Sequence, residues 1–517
     1  MQKLANLFLY KTVFITGAAV LVIEVAAVRM LSPYYGSSLY VFSSVLTIIL
    51  AALAIGYYIG GRLSDRIPRH EPFFTVITVS GILTLLAQVL SMQILPESGS
   101  VFSVMSGPLV FGFTLFFLPA LLLGIVSPYL VKLVSLSRAP DEIGQVAGTV
   151  FFWGTVGSIT GSLLSGFFLI PVLGIRHAMT GTGLALVVLG LVGLLFYGYF
   201  RERLSPFVVI ARQRVFIFLA VIGAIFLTSL IYQNTPNALG YTVLYESDGV
   251  YGHIVVYEIQ NAGLTVRALK RDTNNESAVF LELYDSVFEY TQFAEWYPDL
   301  VPDAKQFLMI GGGAYSVPRT VLARDPDIEV TVAEIEPDLY PLAERFFDLS
   351  PSPRLSNHVV DGRVFLNEHD ETYDVMFLDA FGTDLSIPAH LATKEYFELM
   401  KEHLTEDGVL IINYIGTLHG EAPSLTGSLT KTLLSVFPNM EMYGIHSDMP
   451  QQKQNIVFVA RNGAKDIEFS DRSVRLMTGK MRSVASMEIS PSTYDTDDEI
   501  IFTDDRAPIE YLTLKQY

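Results

Sequence analysis

The chain has 517 residues, 51% of them hydrophobic, with 34 Lys and Arg against 52 Asp and Glu, no Cys, and a formal net charge of −18. The charge is divided: residues 1–233 carry 13 basic and 7 acidic side chains (+6), and residues 234–517 carry 21 and 45 (−24). That division excludes one uniform soluble domain, the missing Cys excludes disulfides and thiolate sites, and an acidic half without a basic stripe excludes a nucleic-acid partner.

In chain order, apolar runs long enough to cross a bilayer, about 20 residues each, fall near 12–31, 39–61, 73–95, 106–131, 148–171, 177–199 and 215–232. They predict a membrane α-helical bundle of about seven helices, in contact with lipid, over residues 1–233. The first run is too long, and too polar in its flanks, for a cleavable signal peptide. The short turn from Pro171 to Arg176 predicts that the helices on either side of it are antiparallel neighbours. Gly56 and Gly60, Gly144 and Gly148, and Gly157 and Gly161 have the small-xxx-small spacing that lets helices approach closely. Glu24 lies well inside the first run, where a carboxylate is a functional candidate or a polar contact, with Arg29 five residues on as a partner.

Lys3, Lys11, Arg62, Arg66, Arg69, Lys132, Arg138, Arg201, Arg203, Arg212 and Arg214 fall on alternate loops, and only Arg29 and Arg176 on the others. The positive-inside rule therefore predicts a multi-pass cell-membrane protein with a cytoplasmic N-terminus. Seven crossings from there place the acidic half outside.

From Tyr241 the pattern shortens to β-type runs. Gly252–Glu258 and Leu264–Leu269, separated by Gln260-Asn261-Ala262-Gly263, read as a hairpin in a small β-domain or linker over 234–275. Residues 276–294 read as a helix. Beyond it, strands are predicted at 306–310, 328–334, 357–360, 373–378, 408–413, 438–444 and 455–460. Helices are predicted near 316–324, 337–347, 363–368, 393–403 and 423–436. This alternation predicts a doubly wound, mainly parallel α/β sheet within 276–517, with ligands at the carboxyl ends of its strands.

The residues at those ends form an ordered set. Gly311, Gly312 and Gly313 follow the first strand, where a backbone must approach a ligand closely. Glu334 ends the second, at the distance where a carboxylate can accept ribose hydroxyls. Asp361 and Gly362 end the third, and Asp379 ends the fourth. Together they describe one nucleoside-sized site. His358, His369, His390, His419 and His446 lack metal-ligand spacing, and no metal site is expected.

Ile310–Gly313, Ala333–Glu336, Val360–Gly362, Phe377–Asp379, Pro388–Phe397 and Glu406–Leu410 resemble the spermidine synthase (polyamine aminopropyltransferase) family, in its bacterial form fused to a multi-pass membrane domain. The resemblance implies a methyltransferase-like fold for the acidic half. It implies decarboxylated S-adenosylmethionine as co-substrate, with S-adenosylmethionine as the alternative, and no prosthetic group. It also implies a polyamine or other amine acceptor, and a homo-oligomer. Glu334 would hold the ribose, Asp361 the adenine amino group, and Pro388, Ala389 and Leu391 would line the adenine pocket. Asp379 would be the catalytic carboxylate, with Tyr290 beside the acceptor amine.

The chain departs from the family where the donor's aminopropyl tail would lie. Its loop reads Gly311-Gly312-Gly313-Ala314-Tyr315 in place of Gly-Gly-Gly-Asp-Gly. Gly252 and Thr291 stand in place of two Gln residues, and Gly382 in place of a second acid, with Asp384 nearby. An altered donor-tail site is therefore expected. Two other functions remain open: a non-catalytic nucleoside- or polyamine-binding transport or sensing protein, and an S-adenosylmethionine-dependent methyltransferase. Tyr494–Glu499 reads as a solvated acidic loop, and Thr503–Pro508 resembles an element of the fused proteins to which no chemistry is assigned.

Overall fold

Helical and strand periodicities separate cleanly in the computed structural model of this chain. It describes residues 2–36, 38–98, 102–103, 105–136, 138–201, 240–261, 263–283, 285–380, 388–476, 480–494 and 496–515. Two compact units emerge, Met1–Ala238 and Leu239–Tyr517.

The first unit contains α1 (Gln2–Tyr35), α2 (Leu39–Arg66), α3 (His70–Ser98), α4 (Ser106–Ser135), α5 (Ile143–Leu164) and α6 (Ile170–Arg201). Among the described residues, six helical spans are long and apolar enough to cross a membrane. The seventh expected run, 215–232, lies outside the described residues. Large apolar side chains such as Phe42, Phe113, Phe151, Phe152 and Phe167 are exposed on these helices, the inverse of a water-soluble bundle.

Small residues set the packing. A Cβ on Gly157 would lie 2.0 Å from the Phe14 carbonyl oxygen, and one on Gly56 would lie 2.3 Å from that of Leu121. These contacts draw α5 onto α1 and α2 onto α4. Gly144 and Gly148 face open space instead, so that part of the spacing serves no helix contact. The helices flanking Pro171–Arg176 are not side-by-side neighbours, contrary to the expectation from their short connection. The chain passes through a π-type turn, Ser165–Leu169, and breaks at Gly174 (φ 77°, ψ 163°). Beyond it α6 packs along α3, while α5 stays on α1. Among the described residues Glu24 forms no hydrogen bond or ion pair, and Arg29 is not its partner.

The second unit opens with an antiparallel meander of β1 (Thr242–Asp248), β2 (His253–Asn261), β3 (Leu264–Arg271) and β4 (Asn274–Phe280). β2 and β3 pair as the hairpin pattern predicts. The helix expected over 276–294 is replaced by β4 and, after a loop, two short helical turns, α7 (Thr291–Glu295) and α8 (Tyr297–Leu300). The physical reason is two-sided burial. Val279 faces the main core, while Ala278 packs with Val266, Ala268 and Val287, so the strand shows a continuous apolar run without alternation. β4 also runs across the domain boundary expected at 275/276.

An eight-stranded sheet follows, built from β5 (Gln306–Ile310), β6 (Glu329–Glu334), β7 (Leu355–Val359), β8 (Tyr373–Leu378), β9 (Leu404–Gly416), β10 (Met440–Gly444), β11 (Gln454–Arg461) and β14 (Glu488–Ile489). Its order is β14-β10-β11-β9-β8-β5-β6-β7, parallel from β9 through β7 and antiparallel beyond β9. A small pair, β12 (Ser473–Arg475) and β13 (Met481–Ser483), stands apart from it. Alternate strand residues enter opposite cores. Phe307, Met309, Val375 and Phe377 join one, and Leu308, Ile310, Met376 and Leu378 the other. The helices are α9 (Ser316–Arg324), α10 (Leu339–Phe346), α11 (Gly362–Glu368), α12 (Lys394–Glu402), α13 (Leu425–Leu434) and α14 (Ile509–Lys515). The central strands therefore end together, and the loops after β5, β6, β7 and β8 converge.

Candidate active site

β5 stops where its backbone must turn sharply beside β8. Gly311 has φ +91°, and a Cβ there would lie 2.5 Å from the Asp379 carbonyl oxygen. Only glycine fits that position without strain. The Asp379 amide donates to the Ile310 carbonyl at 2.9 Å, which fixes the two strand ends against each other. Glu334, only 5% exposed at the tip of β6, folds back onto the glycine loop. Its Oε2 accepts from the Gly312 amide at 2.6 Å and the Gly313 amide at 3.4 Å, and its Oε1 accepts from the Glu336 amide at 2.8 Å. Gly312, Gly313 and Glu334 thus form one hydrogen-bonded unit, with the Gly311 amide donating to the Ala333 carbonyl beside it.

Asp379 is the centre of a polar chain. Its Oδ2 accepts from the Tyr290 hydroxyl at 3.0 Å, and its Oδ1 from Asn413 Nδ2 at 2.8 Å. The Asn413 Oδ1 accepts in turn from Asn455 Nδ2 at 2.9 Å, so β9 and β11 orient the carboxylate from behind. Burial pushes the Asp379 carboxyl up to about 7, helped by the nearby Glu334 charge and opposed by its hydrogen bonds from Asn413 and Tyr290. Burial, then the Asp379 charge, raise the Tyr290 phenol well above its usual range, which keeps it a proton donor. The structure brings Asp379 and Tyr290 together as a pair. The supporting Asn413 escaped the sequence reading, although an Asn amid Ile411, Ile412 and Ile415 was a visible signal.

Asp361 caps α11. Its Oδ1 accepts from the Arg363 amide at 2.9 Å and the Val364 amide at 3.2 Å, while its Oδ2 lies 2.9 Å from His390 Nε2. Burial opposes its charge, but His390 and the helix amides hold its carboxyl below the ordinary carboxylate range. A Cβ on Gly362 would lie 2.3 Å from Ile310 Cγ2, so α11 starts directly against β5. Pro388 and Ala389 lead into the 3₁₀ turn Ala389–Leu391, with Pro388 half-buried and Ala389 exposed. Leu391 is only 3% exposed and packs into the core with Ala392 and Phe397. It supports the turn from beneath.

Two acidic elements take roles that spacing alone did not show. Asp504, from the Thr503–Pro508 element, grips Arg363 with both carboxylate oxygens, accepting from Nη1 at 2.7 Å and Nη2 at 2.6 Å. It also accepts from the Thr393 hydroxyl at 2.8 Å, and Arg363 Nη1 donates to the His390 carbonyl at 3.1 Å. Residue 504 therefore closes the side of the site that holds Asp361 and His390. The Tyr494–Glu499 loop is not wholly solvated as expected. Glu499 is buried at the start of α13, accepting from the Ser424 amide at 2.9 Å and the Ser428 hydroxyl at 2.8 Å.

The expected tail positions are split. Gly252 packs against Arg271, where a Cβ would lie 2.7 Å from its Cγ, and Thr291 is buried at the start of α7. Gly382 and Asp384 lie outside the described residues. Among the described residues, no group of three or more His, Asp or Glu could hold a metal ion.

Residues 298–471 match the family described as Spermine/spermidine synthase domain. A probable polyamine aminopropyl transferase of Bifidobacterium longum is 26% identical over 306 residues, which cover 55% of this chain and 66% of that relative. Polyamine aminopropyltransferase 1 of Streptomyces coelicolor is 24% identical over 443 residues, covering 83% of this chain and 79% of the relative, so that match draws on both units. The crystal structure of a probable spermidine synthase from Corynebacterium glutamicum is 19% identical, with a TM-score of 0.41, over 53% of this chain and 98% of that one.

Proposed function

We propose that this chain, whose C-terminal part belongs to the spermine/spermidine synthase domain family, is a membrane-anchored polyamine aminopropyltransferase. Its donor is decarboxylated S-adenosylmethionine and its acceptor a polyamine or another amine. The observation that carries this reading is the Asp379 pair with Tyr290, set beside the glycine loop and Glu334.

The chemistry follows from that placement. The donor's adenosine lies against Glu334 and the Gly311–Gly313 backbone, with its base toward Asp361. The acceptor nitrogen approaches the donor carbon next to the sulfonium, a C–N bond forms as the C–S bond breaks, and the electron pair returns to sulfur to leave methylthioadenosine. The nitrogen must arrive unprotonated, and Asp379 takes its proton. A carboxyl raised to about 7 is a stronger base than an ordinary one and still ionises near neutral pH. Tyr290 holds that carboxylate in place and offers no competing base. Alignment and proton removal are the main tasks left to the protein, because the sulfonium is already a good leaving group.

The test is Asp379→Asn in the full chain. We expect turnover to fall by about 10²–10⁴-fold, the range for loss of a general base, while methylthioadenosine binding is retained. Unchanged turnover would remove Asp379 from the mechanism.

Anchoring rests on the six apolar spans and their exposed aromatic faces. Six crossings from a cytoplasmic N-terminus return the chain to the cytoplasm, where an adenosyl donor is available; a seventh at 215–232 would deliver the enzyme to the opposite side.

A further inference from the structure

The glycine loop ends in Ala314, so the loop carboxylate that the family places beside the donor's tail ammonium is missing. A different strand, β4, brings a carboxylate-bearing residue beside this loop: the Glu276 carbonyl oxygen would lie 4.0 Å from a Cβ on Gly313. Ser277 on β4 reaches the loop directly: its Oγ accepts from the Ala314 amide at 3.0 Å, and it would lie 2.6 Å from a Cβ on Gly313. Glu276, its neighbour in the chain, has a side chain only 7% exposed and pairs with Arg271, itself 18% exposed. Its charge is felt at Tyr290, and it is itself repelled by that of Glu334. Tyr290 and Glu334 thus interact electrostatically with both Asp379 and Glu276.

The charges here do not balance. Arg271 is the cation drawn on by Glu276, Glu334 and Glu336 alike, one guanidinium against three carboxylates. Burial, with repulsion from Glu334 and Asp272, pushes the Glu276 carboxyl up to about 7 despite Arg271. Excess negative charge in an enclosed, weakly screened space favours a cationic ligand and disfavours a further anion.

We infer that Glu276 is a specificity-determining residue: it supplies from β4 the carboxylate that Ala314 lacks, accepting a donor tail that ends in an ammonium and rejecting one that also carries a carboxylate. This rests on the proposed transferase reading and deepens it. Arg271, already shared among three acids, serves to hold Glu276 in position and is not free to bind a donor carboxylate.

The test is calorimetry on the full chain in detergent with decarboxylated S-adenosylmethionine, S-adenosylmethionine and methylthioadenosine, which has the adenosine and sulfur but no tail amine. The wild type should bind the decarboxylated donor about ten-fold or more tighter than either of the others. Glu276→Gln should lose about ten-fold or more of that affinity and leave methylthioadenosine binding within about two-fold. An unchanged ratio between these two ligands in Glu276→Gln, or a wild type that prefers intact S-adenosylmethionine, overturns the inference alone. Binding of none of the three by the wild type overturns the transferase reading beneath it. If Glu276→Gln also loses methylthioadenosine, the orphaned Arg271 has disturbed the fold. The double variant Glu276→Gln/Arg271→Leu is then judged by the same ratio.

Discussion

A single side chain, Asp379, must satisfy opposing demands of chemistry and stability. Its carboxyl, raised to about 7 by burial, is on the transferase reading the species that has to be ionised for proton removal. Turnover should therefore rise with pH through about 7 and level off above it, falling about ten-fold per unit on the acid side; a pH–rate profile of the wild type checks this. The same shift costs stability. A carboxyl whose pKa is raised by folding takes up protons on folding between its ordinary value near 4 and its folded value near 7, so its contribution to stability declines as pH rises through that window. Asp379→Asn should consequently be more stable than the wild type at pH 8, by roughly 1–3 kcal/mol, and should lose most of that advantage by about pH 4, where the unfolded carboxyl is protonated too. Thermal unfolding in detergent at the two pH values measures it, and an Asn variant less stable at both would contradict the assignment of burial as the cause.

Elements differ in how openly the sequence displayed them. The central strands carried strong signals, because Phe307–Ile310 and Val375–Leu378 are buried on both faces and bounded by Gly311 and Asp379. β4 was misread as a helix for the same reason that those strands were clear. Its apolar residues serve two different cores, and Asn274, Asn275 and Glu276 before them have low strand preference. Pairing with β3 overrides that preference, and pairing partners are not a local property of the chain. The site shows a similar limit. Glycine, Glu and Asp at strand ends are legible in order along the chain, whereas the contact of Asp504 with Arg363 joins residues 141 positions apart. Asp504→Asn should raise the donor KM by about five-fold, the equivalent of ~1 kcal/mol, with little change in kcat. An altered kcat at unchanged KM would show that the clasp acts on the reacting groups and not on the nucleoside side. In the helical unit, Gly157→Ala places a methyl 2.0 Å from the Phe14 carbonyl oxygen and should lower the unfolding midpoint in detergent, at a cost of roughly 1–3 kcal/mol. Gly148→Ala, which meets open space, should not.

At the scale of the whole molecule, the division of charge has two readings that one labelling experiment separates. The basic loops orient the helices, and the number of crossings then decides which compartment the acidic unit meets. The chain has no Cys, so Asn237→Cys introduces a unique thiol for an impermeant reagent. The transferase reading expects protection in intact cells and labelling after lysis; labelling in intact cells would place the catalytic unit away from its donor. The acidity of that unit also raises the local concentration of polycations, so the KM for a polyamine should increase with ionic strength while that for a neutral nucleoside ligand should not. The Arg363–Asp504 clasp adds a consequence in time. Synthesis delivers the helices first, then the glycine loop, Glu334 and Asp379, and only much later the residue that clasps Arg363. On the transferase reading, a nascent chain therefore completes its grip on the donor last. On that reading, a chain cut short before residue 504 keeps Asp379 and Tyr290 but lacks the clasp on Arg363, so tight donor binding doubles as a record that translation ran through that point.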